Sequence, residues 1–251
     1  MKIMFKHYFT HPSVWTYICI GIALFVYLLK VDAFIHYYWV LAIPIIIAPF
    51  FEWVVHKYVL HLRIGNIVEI DKSEHPDKRV KDNVTIKTKE GDKEFKVLAV
   101  SEYKIKAGAG IAKNMPAWFL NFMEKLHYGH HKNPNNVSLI FAPIMAIVIL
   151  YAFMFLVFYA ISRNLDMSLT FLFSVVCYYL HYEWMHLGHH IAGYNHIMPW
   201  SKTLKKVHLF HHFKNENYWW GITNILGDII LGTYKKHEEV ERSETVNDIN
   251  P

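Results

Sequence analysis

Four long stretches of this 251-residue chain are apolar and almost free of charge, and they decide what it can fold into. Residues 13–31 carry one charge, at Lys30, and residues 34–51, 138–161 and 167–182 carry none. Crossing a hydrocarbon core takes about 20 residues of helix, so the third run spans comfortably while the fourth is short. The pattern predicts an all-α integral membrane fold with about four transmembrane helices, arranged as two hairpins. Short turns at 30–33 and 163–166 close both hairpins on one side of the membrane. A composition 53% hydrophobic and 16% aromatic is too apolar for an ordinary soluble domain. One membrane domain spanning 1–251 is expected.

Orientation follows from the basic residues. With the N-terminus in the cytoplasm, only Lys30 and Arg163 of the 26 lysines and arginines fall on the far side. The first apolar run has no small-residue cleavage site and passes straight into the second, so it reads as an anchor rather than a removable signal. This places both termini in the cytoplasm, in a bacterial inner membrane or an endoplasmic reticulum. Cys19 and Cys177 sit in separate apolar runs, as packing residues. The net charge of +5 suits a face beside anionic lipid and calls for no nucleic acid.

Eighteen histidines are present, and twelve fall into four groups: His56 and His61; His127, His130 and His131; His181, His186, His189 and His190; His208, His211 and His212. Positions i, i+3 and i+4 share a helical face, so each H-x-x-H-H group is expected to point three imidazoles into one space. Imidazole is the commonest side-chain metal ligand, and so many exceed the needs of one ion. Two metals are expected, at the cytoplasmic ends of the helices. His7, His11, His36, His75, His196 and His237 stand alone and read as surface or interface residues.

Between the first two groups the chain turns polar. Residues 63–113 are expected to form a small β-rich cytoplasmic insertion. Within it, 84–100 reads as two strands about a Glu90-Gly91-Asp92 turn, with 67–70 and 103–106 as partner strands. A helix over 117–131 should follow. Ile197, Met198, Pro199 and Trp200 form an apolar wedge ahead of Lys202, Lys205 and Lys206, which suits a membrane interface. The tail 238–251 is acidic and polar and is expected to be disordered.

In order, His56-x4-His61, His127-x2-His130-His131, His186-x3-His190 and His208-x2-His211-His212 resemble the signature of the fatty acid hydroxylase / sterol desaturase superfamily. The segments FEWVVHKYVLH, LHYGHHKNPNN, YEWMHLGHH and HLFHHFKNENYWWGITNILGDIILGTY are similar to its fatty-acid-hydroxylase-like bacterial branch. The resemblance implies an integral membrane oxygenase with two iron ions, for which zinc can substitute on purification, and with O2 as oxidant. It implies ten ligands: His56, His61, His127, His130, His131, His186, His190, His208, His211 and His212. His181 and His189 are further metal or outer-sphere candidates. The implied reaction is hydroxylation of a lipid C–H bond, with a fatty acyl chain as substrate; a carotenoid or sterol hydroxylase or desaturase is the alternative. A membrane zinc hydrolase or a metal transporter is the more distant reading.

Attack on an unactivated C–H bond needs an oxidant that no side chain supplies. Ligand histidines also need a partner for their second ring nitrogen. Glu52 and Glu183, on the same helical faces as His56 and His186, and Asp228 are the carboxylates placed to provide it. Tyr178, Tyr179, Tyr218, Trp219 and Trp220 are candidates for the substrate path from the bilayer. The chain has no nucleotide-binding glycine motif, cysteine cluster or haem motif, so a separate ferredoxin or cytochrome b5-like donor is implied.

Overall fold

A computed structural model of the chain describes residues 1–63, 65, 67–88 and 91–246, the side chain at 88 excepted. It is mostly helical, with one small sheet. Helix α1 (Lys2–Thr10) lies against the far end of the chain's longest helix, where the Tyr8 hydroxyl donates to the Leu180 carbonyl at 2.7 Å. Helix α2 (Pro12–Lys30) starts on a proline, whose missing N–H costs nothing in a first turn. The chain reverses through Asp32, in the left-handed region at φ 53°, into α3 (Ala33–Tyr37), a 3-10 turn and α4 (Ala42–Val55).

Among the described residues three helical stretches are long and apolar enough to cross a membrane: Pro12–Lys30, Ala33–Leu60 and Val137–Ser162. The fourth apolar run forms part of α8 (Leu165–His190) and is not among them, because serines, tyrosines and His181 dilute it. Its partner α7 (Ile144–Ser162) ends at Arg163, and Asn164 caps α8 by accepting from the Met167 amide at 2.9 Å. The two hairpins do not pack as separate pairs. Helix α8 is the axis on which α2, α4 and α7 all rest, with Gly21 against Val176 and Tyr27 donating to Asp166 at 2.8 Å. The outer faces, including Ile45, Ile46, Ile149, Phe153 and Leu156, stay exposed as lipid requires.

The insertion is a four-stranded antiparallel sheet of β1 (Ile67–Asp71), β2 (Asn83–Thr88), β3 (Gly91–Val100) and β4 (Lys104–Gly108), in the order β1-β4-β3-β2. The turn expected at Glu90-Gly91-Asp92 lies partly outside the described residues. Alternation puts Val84, Phe95, Val97, Ile105 and Ala107 on a buried face. Glu69 and Asp71 lie opposite Lys106 and Lys104 on the other. A bulge between Val97 and Ala99 frees Leu98 to pack with Leu120, Met123 and Tyr128, which anchors the sheet to the helical body.

The single helix expected over 117–131 is three pieces: α5 (Ala117–Met123), a π-turn (Glu124–Tyr128) and α6 (Gly129–Lys132). A second π-turn, His56–Leu60, extends α4. Helix α9 (Ser201–Phe213) follows the wedge, whose Ile197 is 92% exposed and Trp200 55%. The short α10 (Leu226–Ile230) packs on α4, where Gly227 is required because a Cβ would sit 2.5 Å from the Pro49 carbonyl oxygen. Of the tail 238–251 expected to be disordered, residues 247–251 lie outside the described residues, whereas 238–246 are seated on the body. Val240 and Val246 are buried, and Ser243 and Thr245 hydrogen-bond to Glu216, so two apolar side chains and two hydroxyls hold a segment whose composition alone is polar.

Candidate metal centre

The ten histidines of the four motifs converge into two groups of five. His56, His61, His127, His131 and His211 form one; His130, His186, His190, His208 and His212 form the other. Within each group one ring nitrogen per residue lies within 4.8 Å of all the rest. His190 is partly exposed and the other nine are buried. His181 and His189 fall outside both groups. His189 instead donates to the Ile222 carbonyl at 3.0 Å, and His181 lies beside Tyr178.

The expectation that each H-x-x-H-H motif aims three rings into one space is corrected. His127 and His131 go to the first group and His130 to the second; His208 and His212 go to the second and His211 to the first. The cause is helical geometry. Four residues overshoot a full turn by about 40° and three fall short by about 60°, so the i+3 and i+4 rings diverge by about 100° and serve neighbouring positions. Each motif therefore ties the two groups together. His56 and His61, five apart, would diverge on an α-helix. The π-turn, closed by the His61 amide on the His56 carbonyl at 3.1 Å, brings them round to the same group.

The nitrogens approach as ligands of one ion would. In the first group His127 Nε2 is 3.1 Å from both His56 Nε2 and His61 Nε2, and His61 Nε2 is 3.2 Å from His211 Nε2. In the second, His190 Nε2 is 3.1 Å from His130 Nε2 and 2.9 Å from His208 Nε2. Two nitrogens bound at about 2.1 Å to one ion at right angles lie about 3.0 Å apart. Burial, reinforced by neighbouring imidazoles, holds the pKa of His61, His127, His130, His208, His211 and His212 well below the ordinary range, and burial pushes His131 down to about 3. The rings are therefore neutral, the form that binds a cation. His131 Nε2 and both nitrogens of His186 and His212 are buried with no hydrogen-bond partner, an arrangement costly unless the nitrogens bind something.

Carbonyls of one loop, rather than carboxylates, meet the second nitrogens. His56 Nδ1 donates to the Trp220 carbonyl at 2.6 Å and His211 Nδ1 to the Tyr218 carbonyl at 2.7 Å. A carbonyl only accepts, so the proton sits on Nδ1 and the Nε2 lone pair faces inward. Glu52, Glu183 and Asp228 do not touch the histidines as expected. Asp228 accepts from the Trp220 and Gly221 amides at 2.9 and 2.8 Å, and Glu52 from the Ile222 and Thr223 amides at 3.3 and 3.2 Å. The two carboxylates hold the loop by its amides while its carbonyls hold the rings. Trp219 adopts φ 59°, strained for a residue with a side chain, within this clamp. Glu183 accepts from the Tyr179 hydroxyl, and its second oxygen has no partner. The alternation of carbonyls and amides along 218–223 leaves no trace in residue types, so sequence could not show it.

A cavity of about 500 Å³ runs between α4, α7 and α8 and reaches His56, His127 and His186. Its walls are apolar, among them Ile47, Phe51, Ile147, Leu150 and Met154. Of the expected path residues, Tyr178, Tyr179 and Trp220 line it. Tyr218 and Trp219 do not; Trp219 packs instead with Val207 and Val240, with Tyr218 beside it.

Fold and site together define a helical membrane protein with two groups of histidines that could each hold a metal ion, at the inner end of an apolar cavity. Residues 114–233 match the family model for fatty acid hydroxylase, as the order of the motifs implied. Over 117 residues the chain is 31% identical to the dihydroceramide fatty acyl 2-hydroxylase FAH1 of Arabidopsis thaliana, covering 43% of this chain and 44% of that protein. The chain thus spans less than half the length of that relative. The hydroxylase domain visible in a structure of full-length Scs7p superposes with a TM-score of 0.59 at 16% identity, covering 91% of this chain and 69% of that one, a likeness of fold.

Proposed function

We propose that this protein is an O2-dependent membrane hydroxylase that inserts oxygen into a C–H bond of a fatty acyl chain. The observation that carries the reading is the cavity that ends on three of the ten clustered histidines. The five nitrogens of each group would hold one iron ion each, and the pair supplies, with O2 and two electrons, the oxidising power that side chains lack. The protein's share is positional. The apolar wall draws an acyl chain from the bilayer, excludes water and presents one carbon to the inner end, while the 218–223 loop keeps His56 and His211 in a single tautomer.

Helix α8 serves as the fourth span in this reading, which puts the metal positions on the cytoplasmic side with the basic residues. A separate ferredoxin or cytochrome b5-like protein delivers electrons there. Five-histidine groups speak against a zinc hydrolase, whose metal takes about three protein ligands. The walls do not separate an acyl chain from a carotenoid or sterol by shape, and the 2-hydroxylase relative favours the acyl chain. Comparative lipidomics of cells with and without the gene tests this. Acyl lipids carrying one extra oxygen are the expected difference; oxidised carotenoid or sterol alone, or no oxidised lipid, overturns the acyl assignment.

A further inference from the structure

Eight of the ten clustered histidines lie within the family-matched region, 114–233, and His56 and His61 precede it across the sheet, but the first group is completed from beyond the region's other end. The segment after α10 runs past the end of α9 and brings Val246 to His131. The Ser243 amide donates to the Lys214 carbonyl at 2.7 Å, and the Asn215 side chain donates to the Glu241 carbonyl at 3.0 Å. Glu216, 1% exposed, gathers the next turn: its Oε1 accepts from the hydroxyls of Ser243 at 3.0 Å and Thr245 at 2.5 Å, and Arg63 approaches the same oxygen at 3.5 Å. Val246 is then 2% exposed, and its carbonyl lies 3.3 Å from His131 Nδ1.

The geometry points to the tail as a working part of the first metal position: the Val246 carbonyl, held by Glu216 through Ser243 and Thr245, positions His131. Accepting from Nδ1 fixes the ring proton there and leaves Nε2, which has no other partner, free for the cation. Val246 thereby plays for His131 the part that Trp220 and Tyr218 play for His56 and His211. Three of the five rings in the first group are held in this way, and the tail's bond is the one supplied from beyond residue 233, where the family match ends. Among the described residues no hydrogen bond joins the tail to the second group. This inference rests on the two-metal reading above.

Four purified proteins test it: wild type, a variant ending at Thr245, Glu216→Ala and Glu216→Gln. The readouts are bound metal and the rate of release to a chromogenic chelator, with the ligand-field spectrum of the cobalt(II)-loaded form. Wild type should release two equivalents slowly. The truncated protein should release one of the two about 10–100-fold faster, with one cobalt band altered and the other unchanged. Glu216→Ala should do the same, and Glu216→Gln, which keeps an acceptor oxygen for both hydroxyls, should restore slow release. Elution as a single species and an unshifted unfolding midpoint for the second metal's loss separate this from misfolding. Slow release of both equivalents from the truncated protein overturns the tail's role, as does equal acceleration of both. Wild type holding fewer than two metals overturns the two-metal reading and the inference with it.

Discussion

The two five-histidine groups are built from the same residue type at the same depth, yet they are supported differently. In the first, His56, His131 and His211 each give their second nitrogen to a backbone carbonyl. In the second, His130 and His208 have an unpartnered Nδ1, and His186 and His212 have no partner at either nitrogen. Outer partners fix tautomer and orientation, so the first position is preorganised and the second is free to adjust. The second is also the one with a partly exposed ring, His190. The contrast teaches that the H-x-x-H-H motif sets which nitrogens meet, while loops elsewhere in the chain set how tightly each meeting is held.

The largest effect expected on this comparison is from ligand removal. His127→Ala and His130→Ala should each abolish turnover, the first emptying the preorganised position and the second the adjustable one; full activity in either breaks the assignment. Next comes the clamp. Asp228→Asn leaves the fold's packing in place but weakens the grip on the Trp220 and Gly221 amides. It should lower affinity at the first position about 10–100-fold and spare the second; equal loss at both would show that the loop supports the whole site rather than His56 and His211.

Acid is the third probe. The folded-state pKa of these rings lies below the unfolded value of about 6.5, so the unfolded chain binds more protons between the two. Stability and metal retention should therefore be fully present above about pH 6.5 and fall progressively as pH drops below it. Thermal unfolding and metal content measured from pH 8 to pH 5 should decline together; flat profiles would contradict neutral ligand rings. The smallest effect is expected from the insertion. Replacing residues 83–100 with a short Gly-Ser linker should leave metal content unchanged and slow turnover with a protein electron donor by no more than about tenfold, in a salt-dependent way. Loss of metal would make the sheet part of the site.

Much of this was legible in the residues. Apolar runs marked the helices, alternation marked all four strands, the spacings marked twelve grouped histidines, and the family resemblance picked out the ten that cluster. What spacing could not reveal was that His56 and His61 share a group, because their pairing depends on a π-turn and nothing in HKYVL distinguishes a π-turn from an α-turn; the split inside each H-x-x-H-H motif follows from the helix repeat and was there to be read. The carboxylates were found for the right reason and placed one step too near: Glu52 and Asp228 act on loop amides, and the loop acts on the rings. Trp219 read as a path residue since aromatic side chains suit an interface, whereas its buried indole donates to the Lys235 carbonyl at 3.0 Å. The tail misled by composition, because two valines and one buried glutamate are enough to seat it.

The central claim is that the two groups are two metal positions. Elemental analysis of protein purified without added chelator, paired with the same analysis of His127→Ala and His130→Ala, tests it most directly. Two metal equivalents per chain in the wild type and one in each variant is the result predicted. One equivalent in the wild type, or two retained in either variant, would contradict it.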